Sequence, residues 1–129
     1  MTLYDPYRDA SAIAASLRHP DASLVVVIGA EAWCEKCRTL RPEFDAFAQH
    51  LQAGGHVALW MDIEEHGEFL GDYVPEDMPA LFCYRDRRLA SAGIVAEFHG
   101  DTWTYKSALV QTGDLPDLWA ALMAENWAD

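Results

Sequence analysis

Basic residues are scarce in this sequence. Nine Lys and Arg stand against 21 Asp and Glu, which gives the 129 residues a formal net charge of −12. A surface of this sign repels phosphate backbones and anionic lipid headgroups, so we expect neither nucleic-acid nor membrane binding. The acidic residues are scattered along the chain, which suits a well-solvated surface as much as a preference for basic partners. The charge therefore excludes classes of partner without identifying one.

Cysteine and long apolar runs are scarce as well. Three cysteines do not make the paired disulfide framework of a small secreted protein. The apolar run Leu24–Ile28 is far shorter than the roughly 20 residues of a membrane-spanning helix. Met1–Pro6 lacks the basic and apolar regions of a secretory signal. We therefore expect a protein of the reducing cytoplasm, acting as a monomer.

The remaining composition suits one globular domain covering residues 1–129. The chain is 51% hydrophobic and 12% aromatic, which is enough to bury a core. Apolar spacing and turn signals predict a helix, a strand, a helix, a strand, a short helix, a hairpin and a final helix. The predicted elements are helix Asp9–Arg18, strand Leu24–Ile28, helix Arg38–Gln52, strand His56–Asp62, a short helix within Glu65–Tyr73, and strand Ala80–Tyr84 with a partner from about Leu89. The helical crossover makes the first two strands parallel.

Three further features of the pattern carry structural expectations. Pro42 lies inside the second helix, where a proline removes one N–H bond and usually kinks the helix. The stretch Val95–Gln111 has strand-forming aromatic residues around a turn signal, which indicates an additional hairpin. For the final helix, Asp114 is the predicted cap and Pro116 suits the first turn.

The stretch Trp33-Cys34-Glu35-Lys36-Cys37 carries the clearest chemical signal. A cysteine pair between a strand and a helix, within a βαβ pattern, indicates redox chemistry. At a helix N-terminus the free N–H groups and the helix dipole favour the thiolate of the first cysteine, which is the reactive form. Cys37, one turn later, can attack a mixed disulfide formed at Cys34 and release the product.

A metal site is the alternative for a cysteine pair. Structural zinc needs about four ligands, and one such pair supplies only two. Cys83 and the five histidines show no ligand spacing, so we expect no metal and no cofactor beyond a Cys34–Cys37 redox disulfide. Cys83 alternates within an apolar strand, and we expect it in the core.

The cysteine stretch and three later landmarks resemble the thioredoxin superfamily, over roughly Leu24 to Gly93. The matching residues are Ala32-Trp33-Cys34-Glu35-Lys36-Cys37, Pro42, Asp62 and Met78-Pro79. The resemblance implies a thioredoxin-like α/β fold, with three α/β/α layers around a central mixed sheet of about four to five strands.

The resemblance also implies roles for individual residues. Cys34 would be the nucleophile and Cys37 the resolving thiol, with Trp33 as a flat apolar surface beside them. Pro79 would follow a cis peptide bond next to the cysteines. Met78 would offer its backbone groups to an extended substrate peptide.

The sequence also departs from the family pattern. Glu35 and Lys36 replace the common Gly-Pro pair, and their opposite charges leave the balance at Cys34 open. Alignment on Trp33 places Ile28 where thioredoxins usually carry a buried aspartate, and Ala58 where that aspartate has a lysine partner. Proton transfer from Cys37 would then be slower, or would use water, Glu31 or Asp62.

Asp62 has two readings of equal weight, a cap for the turn after its strand or a part of the site. The stretch Val95–Gln111 exceeds a minimal thioredoxin and could restrict access to the cysteines or bind a dedicated partner.

Two functions follow from these observations. The first is an enzyme, a thiol–disulfide oxidoreductase that reduces protein disulfides and receives electrons from a separate reductase, since no nucleotide-binding motif is present. The second is a thioredoxin-like binding or chaperone module in which the cysteines are secondary.

Overall fold

A computed structural model describes residues 3–124, which form four helices and five strands. In chain order these are α1 (Ala10–Leu17), β1 (Ser23–Gly29), α2 (Glu35–Ala53), β2 (Val57–Asp62), α3 (Gly67–Leu70), β3 (Ala80–Arg85), β4 (Arg88–His99), β5 (Thr102–Ser107) and α4 (Leu118–Ala124). The predicted order of elements is confirmed, and the additional hairpin is β4 with β5.

The five strands form one mixed sheet in the order β2-β1-β3-β4-β5. β1 and β2 are parallel, as the helical crossover predicts, and the other neighbouring pairs are antiparallel. Six of the seven residues of β1 are buried, because helices cover both faces of the sheet. The three-layer fold with a mixed sheet is therefore confirmed.

Alternate residues of β1 enter two separate apolar clusters, one on each face of the sheet. Leu24, Val26 and Ile28 pack with α1, α3 and α4. Val25 and Val27 pack with α2. The side chains of a strand alternate between faces, so this pattern decides which residues of β1 can approach the cysteines.

Helix α2 begins three residues earlier than predicted. Cys34 is its N-cap, with its sulfur accepting the backbone N–H of Cys37, so the turn from Glu35 is already helical. Cysteine is not among the usual capping residues, and apolar spacing alone placed the start at Arg38. The helix continues through Pro42 to Ala53.

The start of the last helix also differs from the prediction. Asp114 does not cap it, since the helix begins at Leu118. Instead Asp117, directly before the helix, accepts the backbone N–H of Ala120 through Oδ1 at 3.1 Å. Pro116 therefore precedes the helix rather than lying in its first turn.

The stretch after β5 returns along the loop that precedes β3. The hydroxyl of Tyr73 donates to the carbonyl oxygen of Gln111 at 2.7 Å. The backbone N–H of Gln111 donates to Oε1 of Glu76 at 3.1 Å. The end of the Val95–Gln111 stretch thus braces the loop that leads to Met78 and Pro79.

None of the helices within residues 3–124 has both the length and the apolar character to cross a membrane.

Candidate active site

Cys34 and Cys37 lie where β1 passes into α2, at the carboxyl end of a strand. They form a disulfide with their Cα atoms 5.2 Å apart. Open α/β sheets place their binding sites at this edge. The structure therefore brings the two cysteines together at the position that the sequence predicts.

The two cysteines differ in accessibility. Cys34 is half-buried, whereas Cys37 is 0% exposed. The sulfur of Cys34 accepts the backbone N–H of Cys37 at 3.1 Å. This donor and the helix N-terminus stabilise negative charge on Cys34 once the disulfide is reduced. The geometry suits Cys34 to attack and Cys37 to resolve.

The loop before β3 borders the reactive sulfur. The carbonyl oxygen of Met78 lies 3.9 Å from Sγ of Cys34, and the Met78–Pro79 peptide bond is cis. Both residues are buried. The carbonyl oxygen of Pro79 accepts the backbone N–H of Val95 at 2.9 Å, which joins this loop to β4. The backbone of Met78 therefore forms one wall of the site, beside Cys34.

Trp33 lies on the surface directly before the cysteines. It is 57% exposed, which is unusual for so large an apolar side chain. The carbonyl oxygen of Ala30 accepts the N–H groups of Trp33 and Cys34 at 3.3 and 2.8 Å and holds the turn that presents the indole. Trp33 therefore lies on the surface beside the cysteines, and its role as a contact surface for substrates stays a prediction.

The two residues between the cysteines have different surroundings. Glu35 is exposed, whereas the ammonium nitrogen of Lys36 is buried and has no hydrogen-bond partner within the described residues. Burial lowers the pKa of Lys36 below its ordinary value. The nearby carboxylate of Asp77 opposes that change in pKa, and Lys106 adds to it. Lys36 therefore interacts electrostatically with Asp77, in the loop before β3, and with Lys106 of β5.

The prediction that Ile28 stands at the position of the family's buried aspartate is wrong. Its side chain packs in the cluster on the α1 and α4 face, whereas Cys37 belongs to the cluster on the α2 face. Counting back from Trp33 therefore selects a residue that points away from the resolving thiol. The β1 residues whose side chains share the face of Cys37 are Val25 and Val27, and both are apolar.

Gly29, the last residue of β1, lies close to the resolving sulfur. A Cβ atom added to Gly29 would lie 3.2 Å from Sγ of Cys37 and 2.6 Å from Cζ2 of Trp60. The second distance is too short for any real contact, so the indole of Trp60 occupies the space that a side chain would need. No signal in the sequence distinguishes this glycine from an ordinary loop residue.

Asp62 lies on the same face of the sheet as Cys37. It ends β2, and strand alternation puts it on the side of Ala58 and Trp60. It is 8% exposed and pairs with Gly29 in the sheet register. Ala58, which stands where the family usually has a lysine, is buried on this same face.

Both carboxylate oxygens of Asp62 accept backbone N–H groups. Oδ2 accepts the N–H of Glu31 and Oδ1 accepts the N–H of Glu64, each at 2.9 Å. The predicted capping of the exit turn is therefore present. Asp62 also lies on the face of Cys37, and its part in the site, as an acceptor of the Cys37 proton, stays a prediction.

Glu31 is occupied by another partner. Its Oε1 accepts from Nη1 of Arg41 at 2.8 Å, and the guanidinium of Arg41 lies 5.0 Å from the centre of the Trp60 ring. Sequence reasoning missed Arg41, because nothing in its spacing separates it from other charged residues on the outer face of α2.

His66 is a second residue that sequence reasoning missed. It is 6% exposed, and its Nδ1 accepts the backbone N–H of Asp62 at 2.9 Å. Its ring stacks on Tyr7 with the ring centres 5.3 Å apart. Burial lowers the pKa of His66, although the nearby carboxylates of Glu65, Asp5 and Asp62 oppose that change.

Cys83 lies in the core, as predicted. It is 3% exposed and carries a free thiol, and burial raises its pKa. An inert buried thiol fits this description. Among residues 3–124, no group of three or more His, Cys, Asp and Glu side chains could hold a metal ion.

Comparison with known proteins agrees with this geometry. A search of curated proteins returns no match to the chain. The family model named Thioredoxin matches residues 9–106. This range contains β1 to β4, β5 as far as Lys106, the disulfide and the Met78–Pro79 bond. The chain therefore belongs to the thioredoxin family.

Proposed function

We propose that the protein is a thiol–disulfide oxidoreductase that reduces disulfides in other proteins. The observation that carries this proposal is the asymmetry of the cysteine pair. Cys34 is half-buried and its sulfur accepts an N–H at the start of α2, whereas Cys37 is 0% exposed. An accessible, stabilised thiolate beside a sequestered second thiol is the arrangement that a two-step exchange requires.

The first step forms a mixed disulfide. The thiolate of Cys34 attacks one sulfur of the substrate disulfide, so that a bond from Cys34 to that sulfur forms and the substrate S–S bond breaks. The other substrate sulfur leaves as a thiolate and takes a proton from solvent. The Met78 carbonyl oxygen lies 3.9 Å from Sγ of Cys34, so a substrate chain bound at Cys34 would lie beside the Met78 backbone.

The second step releases the substrate. The Cys37 thiol loses its proton and attacks Sγ of Cys34, which regenerates the Cys34–Cys37 disulfide and expels the substrate sulfur as a second thiolate. Asp62 is the proposed proton acceptor, directly or through water, because it is the buried carboxylate on the face of Cys37. A dithiol of a separate reductase then returns two electrons to the disulfide.

Single-cysteine variants test this order of events. Cys37→Ser should accumulate mixed disulfides with substrate proteins through Cys34, since the resolving thiol is gone. Cys34→Ser is the matched control and should trap none, because Cys37 is buried. Equal trapping by both variants, or trapping by neither, would contradict the proposal. The readout is non-reducing electrophoresis followed by mass spectrometry of the linked cysteine.

The direction of electron flow is also part of the proposal. We propose that the protein works in the reducing cytoplasm, so its disulfide should have a potential near the thioredoxin value of about −270 mV. Equilibration in a glutathione series measures it. A much less negative potential would assign the protein to disulfide formation or isomerisation instead.

A binding role without redox chemistry is the second proposal. Leu109 is 85% exposed and Val74 is 56% exposed, which leaves apolar surface on the segment after β5 and on the loop before β3. If this proposal is correct, a variant with both active-site cysteines changed to serine should keep its partner. Loss of the partner in that variant would leave the oxidoreductase proposal alone.

A further inference from the structure

The backbone N–H of Met78 is already occupied by the protein itself. Oδ1 of the preceding residue, Asp77, accepts it at 2.8 Å. The carbonyl oxygen of the same Met78 lies 3.9 Å from Sγ of Cys34. None of the five described strands includes or pairs with Met78. Its N–H is thus a backbone donor beside the reactive sulfur, covered by a carboxylate.

The carboxylate of Asp77 has two cationic neighbours. Its Oδ2 lies 3.8 Å from Nζ of Lys106. Lys36 is close enough for Asp77 to raise its pKa against the effect of burial, yet the ammonium of Lys36 has no hydrogen-bond partner among residues 3–124. A buried ammonium without a partner is unfavourable. Lys36 is therefore a second cation that interacts electrostatically with this carboxylate.

We propose that Asp77 is a specificity-determining residue, which blocks the Met78 N–H until an extended substrate peptide displaces its carboxylate. This inference rests on the proposed function. An extended chain that pairs with Met78 needs both the N–H and the C=O of that residue. While Asp77 holds the N–H, this pairing cannot be complete.

Displacement of Asp77 has a compensating contact. Breaking the charge-assisted bond to Met78 is unfavourable. A carboxylate that swings away can meet the unpartnered ammonium of Lys36, which offsets part of that loss. The site consequently favours substrates with a free extended backbone beside the disulfide, because a backbone carbonyl oxygen of such a substrate supplies a replacement acceptor for the Met78 N–H.

Two substitutions at one position separate charge from hydrogen bonding. Asp77→Ala removes both the charge and the acceptor, whereas Asp77→Asn removes the charge and keeps an amide oxygen in reach of the N–H. Glu76→Ala is the matched control, because Glu76 is the adjacent acid and contacts Gln111 rather than Met78. Asp77 and Glu76 are both exposed, so the variants should fold.

Two substrates separate peptide recognition from thiol reactivity. The first is a short uncharged peptide with an internal disulfide, and the second is 2,2′-dithiodipyridine, a neutral disulfide without a peptide backbone. For the peptide we expect KM to fall about tenfold in Asp77→Ala, which is the weight of one charge-assisted hydrogen bond, and by less in Asp77→Asn. The rate with dithiodipyridine should be equal in both variants. Glu76→Ala should match the native protein with both substrates.

The outcomes separate the proposed function from the role of Asp77. If the native protein reduces neither substrate, the proposed function fails and this inference fails with it. If the native protein is active but the peptide KM of Asp77→Ala equals or exceeds that of Asp77→Asn, the inference alone is overturned.

A double-mutant cycle then tests the place of Lys36. Lys36→Met should raise the peptide KM in the native background, after correction for its effect on dithiodipyridine. Lys36→Met should have no such effect in the Asp77→Ala background, because that variant has no carboxylate that could pair with the Lys36 ammonium. Equal effects in both backgrounds would overturn the exchange between Met78 and Lys36.

Discussion

On its outer side the Cys34–Cys37 disulfide borders exposed and charged groups, whereas on its inner side it borders packed apolar ones. Trp33 is 57% exposed and Asp77 covers the Met78 N–H from solvent. Beneath the disulfide, Cys37 is 0% exposed, and Gly29 leaves room only for the ring of Trp60. The contrast assigns substrate contact to the outer side and the resolving step to the inner side. Substitutions on each side should therefore change different kinetic quantities.

The largest expected effect concerns the inner side. Asp62→Asn should slow the attack of Cys37 roughly a hundredfold, the contribution of a positioned base, and leave the attack of Cys34 nearly unchanged. Dithiodipyridine reports both steps in one stopped-flow experiment, because each step releases one thiopyridone. Glu64→Gln, an exposed acid two residues away, is the control. Equal slowing of both steps would assign Asp62 to the capping of the turn alone.

The next effect is on stability. Gly29→Ala would place a methyl group 2.6 Å from Trp60, and overpacking of this kind destabilises by about 1–3 kcal/mol. Urea unfolding of the oxidised protein measures the change in free energy. Gly67→Ala is the control, since a Cβ atom there meets nothing within 4 Å. A neutral Gly29→Ala would show that the inner side is less tightly packed than described.

The outer side predicts a smaller, purely kinetic effect. Trp33→Ala should raise KM for a protein disulfide about fivefold, the loss of one aromatic contact, with an unchanged free energy of unfolding because the side chain is mostly exposed. Leu89→Ala, at the β3–β4 hairpin and away from the cysteines, should change neither quantity. A loss of stability in Trp33→Ala would place this residue with the inner side.

The smallest expected effect is a pH dependence of the free energy of unfolding that arises from His66, a buried residue bonded to Asp62. Burial lowers the pKa of His66 in the folded protein, so the unfolded protein binds more protons once the pH falls below the ordinary histidine pKa of about 6.5. The contribution of His66 is thus present above that pH and is lost as the pH falls further. His66→Asn keeps an amide group near the Asp62 N–H and should flatten the fall of the urea midpoint between about pH 7 and 5. An identical slope in both proteins would contradict this assignment.

Much of this molecule could be predicted from its sequence, and the exceptions have physical causes. The apolar spacing of α2, from Cys37 to Leu51, is the buried face that the structure shows, because a 3.6-residue period is hard to mistake. The wrong assignment of Ile28 came from counting along the chain. The turn between β1 and Cys34 sets which face each residue of β1 presents, and a shift of one residue reverses that face.

The role of Asp77 lay beyond any sequence pattern. Its bond to Met78 is between neighbours in the chain, and an exposed acid before a buried methionine has no characteristic spacing. The contact with Lys106 joins β5 to a loop that is far from it in sequence. Such contacts depend on the sheet order, which brings β5 to the edge beside β4.

The brace between Tyr73, Glu76 and Gln111 bears on where this domain can be cut. The family match ends at residue 106, so a fragment trimmed to that range would keep the disulfide, Met78 and Lys106. It would lose Gln111, and with it the acceptor for the Tyr73 hydroxyl and the donor to Glu76. It would also lose α4, whose Leu118, Trp119 and Leu122 pack in the core, so we expect it to unfold at a lower urea concentration than the whole chain. The natural unit for this site is therefore longer than the family pattern that identifies it.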